Sequence, residues 1–215
     1  MEVSHVQNAY SKIASKYADE FYKELDNKPL DRYLLKAFCS MIRKNGIACD
    51  MGCGPGHITR YIHNRGINII GMDISKGMIQ QAKKLNPGID FEEANMLELN
   101  CIERKFSGII SHYSIVHFEA SELKMVFNGI NSILEEDGLL LIAFHVGDEA
   151  LFVKELLEEE VNMDYIFHNF DRVLIQLREF NFKVIEAFCR EPYEGYEYMS
   201  RRGYILCKKG TEMNK

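Results

Sequence analysis

The chain has 215 residues, 47% hydrophobic and 27% charged, which suffices for one sizeable core but not for two full domains. Its formal net charge is -6 and its lysines and arginines are scattered, so the basic surface that binds nucleic-acid backbones is not expected. The N-terminus lacks the pattern of a signal peptide, and the apolar runs fall below the ~18 residues that cross a membrane. We expect a soluble cytoplasmic protein, monomeric or homodimeric, that binds neither nucleic acid nor membranes.

Two helices are predicted in the first part of the chain. Apolar residues recur from Val6 with the spacing of three and four that forms one helical stripe, at Tyr10, Ile13, Tyr17, Phe21 and Leu25. A second helix begins near Pro29, because the missing N–H of proline costs nothing in a first helical turn. We expect residues 1–44 to form a helical cap ahead of the main domain.

From residue 47 onward, short apolar runs alternate with amphipathic stretches. The runs occupy residues 47–51, 67–72, 89–91, 106–111 and 139–144. Runs that are apolar without alternation suit strands covered on both faces, and the stretches between them supply the crossovers that parallel strands require. The sequence therefore predicts a doubly wound α/β sheet in one globular unit, residues 45–212.

The last third of the chain is less regular. The acidic stretch KELLEEE predicts an exposed helix, and residues 171–180 predict another. Two final strands are predicted at residues 183–189 and 203–208. Residues 161–169, between the two helices, carry no clear pattern.

Six cysteines are spread along the chain without a CxxC pair. Several lie in apolar, strand-like segments, where a free thiol behaves as a small hydrophobe. We expect reduced thiols, no disulfide and no metal site.

The segment ACDMGCGPGHITR, residues 48–60, follows the first predicted strand and opens the next helix. Its glycines let the backbone approach a ligand closely at the carboxyl end of the sheet. A dinucleotide-binding loop has the spacing G-x-G-x-x-G, whereas here the glycines fall as G-x-G-x-G after Asp50, and the sixth position is His57. The spacing argues against NAD.

With this loop, the chain resembles the class I S-adenosylmethionine (SAM)-dependent methyltransferases, whose first motif has the form D-x-G-x-G-x-G. The resemblance extends over residues 6–208, since FSGIISHYSIVHF, GLLLIAFHVGDE and the last two strands fall where this family has them. It implies a Rossmann-like seven-stranded sheet, mostly parallel with the last strand antiparallel. It also implies SAM as cofactor and S-adenosylhomocysteine (SAH) as product. The downstream segments look like those of an uncharacterised bacterial subgroup that acts on small molecules.

In this family, the glycine turn wraps the methionine end of the cofactor, and the leading acid, here Asp50, helps orient its ammonium group. Asp73, at the end of the second strand, would accept the ribose hydroxyls, and Ile74 and Met78 would flank the adenine. Asn95 would meet the adenine edge, although an asparagine that closes its own turn explains this residue equally well.

Tyr10 and Tyr17 would close over the cofactor, because the family often uses an N-terminal helix as a lid, although core packing explains the same stripe equally well. Lys28 would pair with the cofactor carboxylate or else remain solvated. The complete set of predicted cofactor contacts is Tyr10, Tyr17, Lys28, Asp50, Gly52, Cys53, Gly54, Gly56, Asp73, Ile74, Met78, Asn95, Met96 and Ser111.

Methyl transfer from a sulfonium is an in-line displacement on an activated donor, so the enzyme supplies alignment and, for a protonated acceptor, a base. The predicted catalytic residues, at the ends of the fourth and fifth strands, are His145, His117 and Tyr113. His145 is the preferred base, since the neighbouring Asp148 and Glu149 would raise its pKa; otherwise it anchors the substrate. His117 fits a packed or capping histidine as well as a catalytic one.

Substrate recognition is predicted in the loop REPYEGYEYMSRR between the last two strands, which returns to the sheet edge of the cofactor loop. Its arginines and tyrosines supply donors and ring faces for a small polar acceptor, and a solvated hairpin is the alternative. The predicted substrate-binding residues are Tyr113, His145, Arg190, Tyr193, Arg201 and Arg202.

The predicted function is transfer of a methyl group from SAM to a small-molecule acceptor. The fourth strand is followed by neither the Pro-Pro motif of DNA amino-methyltransferases nor the Pro-Cys nucleophile of cytosine-C5 enzymes. Two alternatives stay open. One is a scaffold or sensor that binds the cofactor without transfer, and the other is a tRNA or protein methyltransferase, which the acidic balance disfavours.

Overall fold

The computed structural model describes residues 3–210 of the chain. Its helices are α1 (Val3–Phe21), α2 (Pro29–Met41), α3 (His57–His63), α4 (Lys76–Leu85), α5 (Ala120–Ile133) and α6 (Phe170–Glu179), with 3₁₀ turns at Glu24–Asn27 and Met96–Cys101. Its strands are β1 (Ala48–Met51), β2 (Ile69–Asp73), β3 (Asp90–Glu93), β4 (Phe106–His112), β5 (Leu134–Val146), β6 (Ala150–Leu156), β7 (Glu159–Ile166), β8 (Phe182–Arg190) and β9 (Arg201–Lys209). The predicted cap and main unit extend beyond the described residues at positions 1–2 and 211–212.

Seven strands form one sheet in the order β3-β2-β1-β4-β5-β9-β8, and β6 pairs with β7 in a separate two-stranded sheet. The first five strands in this order run parallel, whereas β9 is antiparallel to both β5 and β8. This topology confirms the predicted doubly wound, mostly parallel sheet with an antiparallel last strand. The carboxyl ends of the parallel strands meet at one edge, where ligands bind in such folds.

Helices cover both faces of the sheet because its central strands are apolar throughout. All residues of β1 are buried, as are all of β4 except the last. Helices α5 and α6 pack on one face through residues that include Phe127 and Leu177. Helices α2 and α3 pack on the other face, where Phe38 and Ile62 are fully buried.

The two N-terminal helices occupy different places. Helix α2 joins the core of the sheet through Phe38, whereas α1 packs on α4 and on β7. A Cβ on Gly77 of α4 would lie 2.6 Å from the carbonyl oxygen of Ser11, so α1 and α4 meet backbone to backbone. The boundary proposed at residue 45 stays a prediction, and α1 is the part of the predicted cap that lies outside the helical layers of the sheet.

The segment KELLEEE does not form the predicted helix but the turn end of a hairpin, β6 and β7. The two residues between the strands, 157–158, have φ values of 54° and 62°, the left-handed conformation found in two-residue hairpin turns. Val161 and Met163 of β7 are buried against the apolar stripe of α1, and Lys16 of α1 pairs with Glu159 at 3.0 Å. The helix prediction is wrong because contact with α1, and not the local acidic composition, decides the structure of this segment.

The other predicted elements in the last third are confirmed to within two residues. The helix predicted at residues 171–180 is α6, and the two final strands are β8 and β9. Of the helices in the described part of the chain, none combines the length and the apolar character that a bilayer crossing demands.

Replacement of Phe38 by alanine tests whether α2 is part of the main core. Phe38 is fully buried, so Phe38→Ala is expected to lower the free energy of unfolding by about 3–5 kcal/mol. Tyr33→Ala on the same helix is the matched control, because Tyr33 is 68% exposed and should change that free energy by less than about 0.5 kcal/mol. Chemical denaturation followed by circular dichroism gives both values, and equally small effects would contradict a core role for α2.

Candidate active site

A cavity of about 500 Å³ lies at the carboxyl edge of the sheet, bounded by the glycine loop, α1, the β6–β7 hairpin and the β8–β9 loop. The predicted site residues that line it are Tyr10, Tyr17, Lys28, Gly52, Cys53, Gly54, Asp73, Ile74, Met78, Asn95, Met96, Tyr113, His117, His145 and Arg202. The predicted site residues that do not line it are Asp50, Gly56, Ser111, Arg190, Tyr193 and Arg201.

The glycine loop approaches the cavity with its backbone. Gly54 has a φ of 53°, and a Cβ placed on it would have Tyr17 Cε1 as its nearest neighbour, at 4.0 Å. At Gly52, where φ is 72°, a Cβ would meet the Cβ of Ser114 at 2.2 Å. The loop therefore presents bare backbone to a ligand at Gly54, whereas close packing requires the glycine at position 52.

Three predicted cofactor contacts, Asp50, Gly56 and Ser111, do not line the cavity. Asp50 is 1% exposed, and its Oδ2 accepts a hydrogen bond of 2.6 Å from Thr59 Oγ1, which ties β1 to α3. Burial raises the pKa of this carboxyl group. A Cβ on Gly56 would collide with the ring of Phe91, and Ser111 is fully buried. The structure therefore brings none of the three to the cavity, because each is engaged in packing β1, β4 or α3.

Asp73 ends β2 beside the glycine loop. Its Oδ2 accepts a hydrogen bond of 2.9 Å from the Gly54 N–H, and its Oδ1 accepts one of 2.8 Å from the Ser75 N–H. Burial outweighs these bonds and raises the pKa of the carboxyl group to about 6. Asn95 also lines the cavity, and its Oδ1 accepts a hydrogen bond of 3.0 Å from the Leu97 N–H, so it closes its own turn.

Glu24, in the 3₁₀ turn after α1, lines the cavity beside Lys28. Its Oε2 accepts a hydrogen bond of 2.7 Å from Lys28 Nζ, and its Oε1 lies 2.9 Å from His57 Nε2, which donates to it. Burial alone would raise the pKa of Glu24, but the bond from His57 and the charge of Lys28 hold it well below its usual range. Sequence reasoning missed Glu24; the available signal was an acid four residues before Lys28.

A buried ionic network forms one side of the site. The Arg190 guanidinium donates to Asp31 Oδ2 at 3.0 Å and to both carboxylate oxygens of Glu197, at 2.6 and 2.9 Å. Asp31 is 1% exposed; burial alone would raise its pKa, but the hydrogen bond from His112 and the nearby cations lower it to about 2. Arg190 therefore serves the internal network, and its guanidinium is not free to bind a substrate as predicted.

Two further predicted substrate residues also lie away from the cavity. The Tyr193 hydroxyl accepts a hydrogen bond of 3.4 Å from the Leu30 N–H, and the Arg190 guanidinium lies over the Tyr193 ring at 4.0 Å from its centroid. Arg201 is more than half exposed and pairs with Glu191 at 3.2 Å. The residues of this loop that do line the cavity, besides Arg202, are Tyr196, Glu197 and Tyr198.

Arg202 lines the cavity, but its loop occupies several of its donors. It is 2% exposed; its Nη2 donates to the Tyr198 carbonyl at 2.8 Å, and its Nη1 donates to the Ser200 carbonyl at 2.6 Å and to Ser200 Oγ. In the β5–β9 pairing, Arg202 stands opposite His145. Arg202 thus holds the β8–β9 loop in place next to the end of β5.

His145 lies near the end of β5 among aromatic rings. Its ring stacks on Phe167 with the centroids 5.3 Å apart, and it approaches the rings of Tyr113 at 5.3 Å and Tyr198 at 6.3 Å. Its Nδ1 lies 2.7 Å from Ser200 Oγ. This end of the cavity therefore presents ring faces together with one imidazole.

The pKa of His145 shifts in the direction opposite to the one predicted. Burial, with the positive charge of Arg202, lowers the pKa of His145 to about 3. The acids that partly oppose this shift are Glu197 and Glu24, whereas Asp148 pairs with Arg172 at 3.3 Å. His145 is therefore an uncharged imidazole at neutral pH.

Tyr113 is a buried phenol next to these rings. Its hydroxyl lies 2.8 Å from the Tyr204 hydroxyl, and Lys28 Nζ lies 4.8 Å from the centre of its ring. Burial raises the pKa of Tyr113 well above its usual range. The hydroxyl therefore stays protonated near neutral pH.

His117 follows β4 and belongs to a hydrogen-bonded chain that crosses three elements. Its Nδ1 lies 2.8 Å from the Asp164 carbonyl oxygen, and its Nε2 lies 2.9 Å from the Tyr10 hydroxyl. The Tyr10 hydroxyl also lies 3.0 Å from the Tyr165 hydroxyl. Burial lowers the pKa of His117 to about 4 and raises that of Tyr10 well above its usual range. These hydrogen bonds join α1, β7 and the segment after β4 at the wall of the cavity.

Comparison with known proteins gives a consistent result. Residues 48–138 match the family model described as a methyltransferase domain. An uncharacterised methyltransferase of Alkaliphilus oremlandii is 23% identical over 176 residues, which cover 80% of this chain and 81% of that protein. The tRNA (carboxymethyluridine(34)-5-O)-methyltransferase of Saccharomyces cerevisiae is 27% identical over 170 residues, 77% of this chain and 57% of that protein. Among solved structures, the DhpI–SAH complex has the same fold, with a TM-score of 0.75, 15% identity and 97% of both chains covered.

Mutation of two arginines in the β8–β9 region compares a buried ion pair with an exposed one. Arg190→Met removes the partner of two buried carboxylates, so it is expected to lower the free energy of unfolding by about 3–5 kcal/mol. Arg201→Met is the matched control and should cost less than about 1 kcal/mol, because Arg201 makes an exposed ion pair. Denaturant unfolding of the two variants checks the difference, and a similar, small loss in both would contradict the role assigned to Arg190.

Proposed function

The chain belongs to the class I SAM-dependent methyltransferases, and we propose that it transfers the methyl group of SAM to a small organic molecule. The observation that carries this proposal is the cavity of about 500 Å³ at the carboxyl edge of the sheet. This volume is in the range of small-molecule sites. Because α1, the β6–β7 hairpin and the β8–β9 loop surround the cavity, it favours an acceptor small enough to enter between them.

The residues at one end of this cavity fit SAM. Gly54 offers bare backbone, and Asp73, 2.9 Å from the Gly54 N–H, offers a carboxylate for the ribose hydroxyls. Glu24 and Lys28 are an anion and a cation suited to the ammonium and carboxylate groups of the methionine end. When bound, SAM supplies a methyl group already activated by its positive sulfur, so the residues of the protein have to hold and align the reactants.

Another part of the cavity lining suits an acceptor with an apolar, planar body. The rings of Tyr113, His145, Phe167 and Tyr198 lie together there. Ring faces of this kind bind planar molecules through stacking and apolar burial. We infer that these rings hold the acceptor while the charged residues hold the cofactor.

A tRNA acceptor is the second candidate, because the yeast relative reported above acts on tRNA. That relative is 27% identical, and the matched region is 57% of its length. The net charge of -6 argues against RNA as the acceptor, since RNA binding relies on clustered cations along the phosphate backbone. A cofactor-binding scaffold without transfer activity is a third candidate, and the cofactor-binding residues do not distinguish it.

Cofactor affinity is expected to depend on pH through Asp73. The ionised carboxylate accepts hydrogen bonds from the ribose hydroxyls, whereas the protonated form loses acceptor capacity. With a pKa of about 6, Asp73 is mostly ionised at pH 7 and mostly protonated at pH 5. Affinity for SAH should therefore fall by about tenfold between pH 7 and pH 5, as measured by isothermal titration calorimetry.

Asp73→Asn is the control for this titration. It should bind SAH more weakly at pH 7 and lose most of the pH dependence. If the variant retains the tenfold change in affinity, Asp73 is not the source of the pH dependence. NADH is titrated alongside as the competing cofactor class. Binding of NADH without binding of SAM would overturn the cofactor assignment.

Transfer is tested with methyl-labelled SAM, the full chain, and two separate acceptor pools, a small-molecule cell extract and purified total tRNA. Label is expected in the small-molecule pool, and Asp73→Ala should abolish it by weakening cofactor binding. Label confined to tRNA would favour the second candidate. No label in either pool, with intact SAM binding, would favour the scaffold.

A further inference from the structure

The hydrogen bonds of His117 determine where its proton lies. A carbonyl oxygen only accepts, so the 2.8 Å contact with the Asp164 carbonyl requires the proton on Nδ1. With its pKa lowered to about 4, the ring is neutral at neutral pH, and Nε2 keeps a lone pair. This lone pair accepts the Tyr10 hydroxyl proton across 2.9 Å. Since the proton of Tyr10 is thereby used, Tyr165 donates to Tyr10.

His145 has the opposite arrangement. Arg202 Nη1 can only donate, so Ser200 Oγ accepts from it. The proton of Ser200 then has His145 Nδ1, at 2.7 Å, as its acceptor, and no other partner for it is found among residues 3–210. Nδ1 of this neutral ring is thus an acceptor, and its Nε2 carries the proton. His145 is a hydrogen-bond donor toward the cavity, and His117 is a proton acceptor.

We propose that Tyr165, Tyr10 and His117 form a proton path for a hydroxyl-bearing acceptor, and that the Nε2–H of His145 donates a hydrogen bond to that acceptor. The three path residues line the same cavity as His145. Tyr165 keeps its oxygen lone pairs for the acceptor, because its own proton points to Tyr10. This proposal rests on the proposed function and names the chemical class of its acceptor as a phenol, enol or alcohol.

The proton balance fits such an acceptor. As the acceptor oxygen bonds to the methyl carbon, the carbon–sulfur bond breaks with its electron pair moving to sulfur. The acceptor proton passes to Tyr165, the Tyr165 proton to Tyr10, and the Tyr10 proton to His117 Nε2, which ends as imidazolium. The positive charge lost at sulfur is regained at His117. A carboxylate acceptor carries no proton and would need no such path.

The groups that face His117 leave it able to act in this way. His117 contacts Tyr10 of α1 and Asp164 and Tyr165 of β7. Tyr17 of α1 packs on Tyr10, and Glu122 of α5 lines the same cavity. Glu122 accepts a hydrogen bond of 2.8 Å from the Glu119 N–H in the cap of α5. The described residues around His117 thus include no cation that would repel the arriving proton, and Asp164 favours the charged ring.

Nitrogen-15 NMR of the full chain tests the two proton positions without any acceptor. In two-bond ¹H–¹⁵N spectra at neutral pH, assigned with His117→Gln and His145→Gln, His117 should show the Nδ1–H tautomer and His145 the Nε2–H tautomer. Tyr10→Phe should shift the unprotonated nitrogen of His117, whereas Tyr33→Phe, on the exposed face of α2, should not. The reverse tautomer at either histidine, or no response to Tyr10→Phe, would overturn the proposal.

The acceptor class is tested on the labelled small-molecule pool. The label should survive alkali and be released by hydriodic acid as methyl iodide, as from an O-methyl ether. Release as methanol by alkali would identify a methyl ester and overturn the proposal. Absence of label would instead count against the proposed function. The NMR measurement of the His117 and His145 tautomers would still test the proton path.

Discussion

Arg190 lies between two buried carboxylates, Asp31 of α2 and Glu197 of the β8–β9 loop, and this arrangement holds one side of the cavity together. A buried charge is tolerated only when it is paired, and Arg190 pairs with both carboxylates at once. Glu197 also lies 3.6 Å from Lys28 and 3.7 Å from Arg202. The positions of Lys28 and of the loop next to His145 therefore depend on the same guanidinium.

The other side of the cavity depends on apolar contact between α1 and the β6–β7 hairpin. Val6, Ala9 and Ile13 of α1 meet Val161 and Met163 of β7 in a small cluster that is separate from the cores on the two faces of the sheet. The left-handed turn residues of the hairpin cost conformational energy, which this cluster offsets. The cavity is thus enclosed by charge pairing on one side and by burial of a modest apolar area on the other.

Sequence reasoning succeeded where the structure depends on local spacing. The D-x-G-x-G-x-G loop and Asp73 at the next strand end are set by a strand, a turn and a helix that follow directly in the chain. The positions of β1, β2, β4 and β5 along the chain follow from apolar runs. Sequence reasoning failed where the structure of a segment depends on a partner elsewhere in the sequence. The hairpin depends on α1, the role of Arg190 on Asp31, and the orientation of Asp50 on Thr59; none of these partners is marked by a local pattern.

The contact between α1 and the hairpin joins two segments that lie far apart in the sequence. His5 donates a hydrogen bond of 2.9 Å to the carbonyl of Val161, 156 positions further along. During synthesis, the apolar stripe of α1 stays without this partner until β7 emerges, and contacts of such long sequence separation close slowly. The wall of the cavity that carries Tyr10 and Tyr165 consequently forms only after β1 to β5 have emerged.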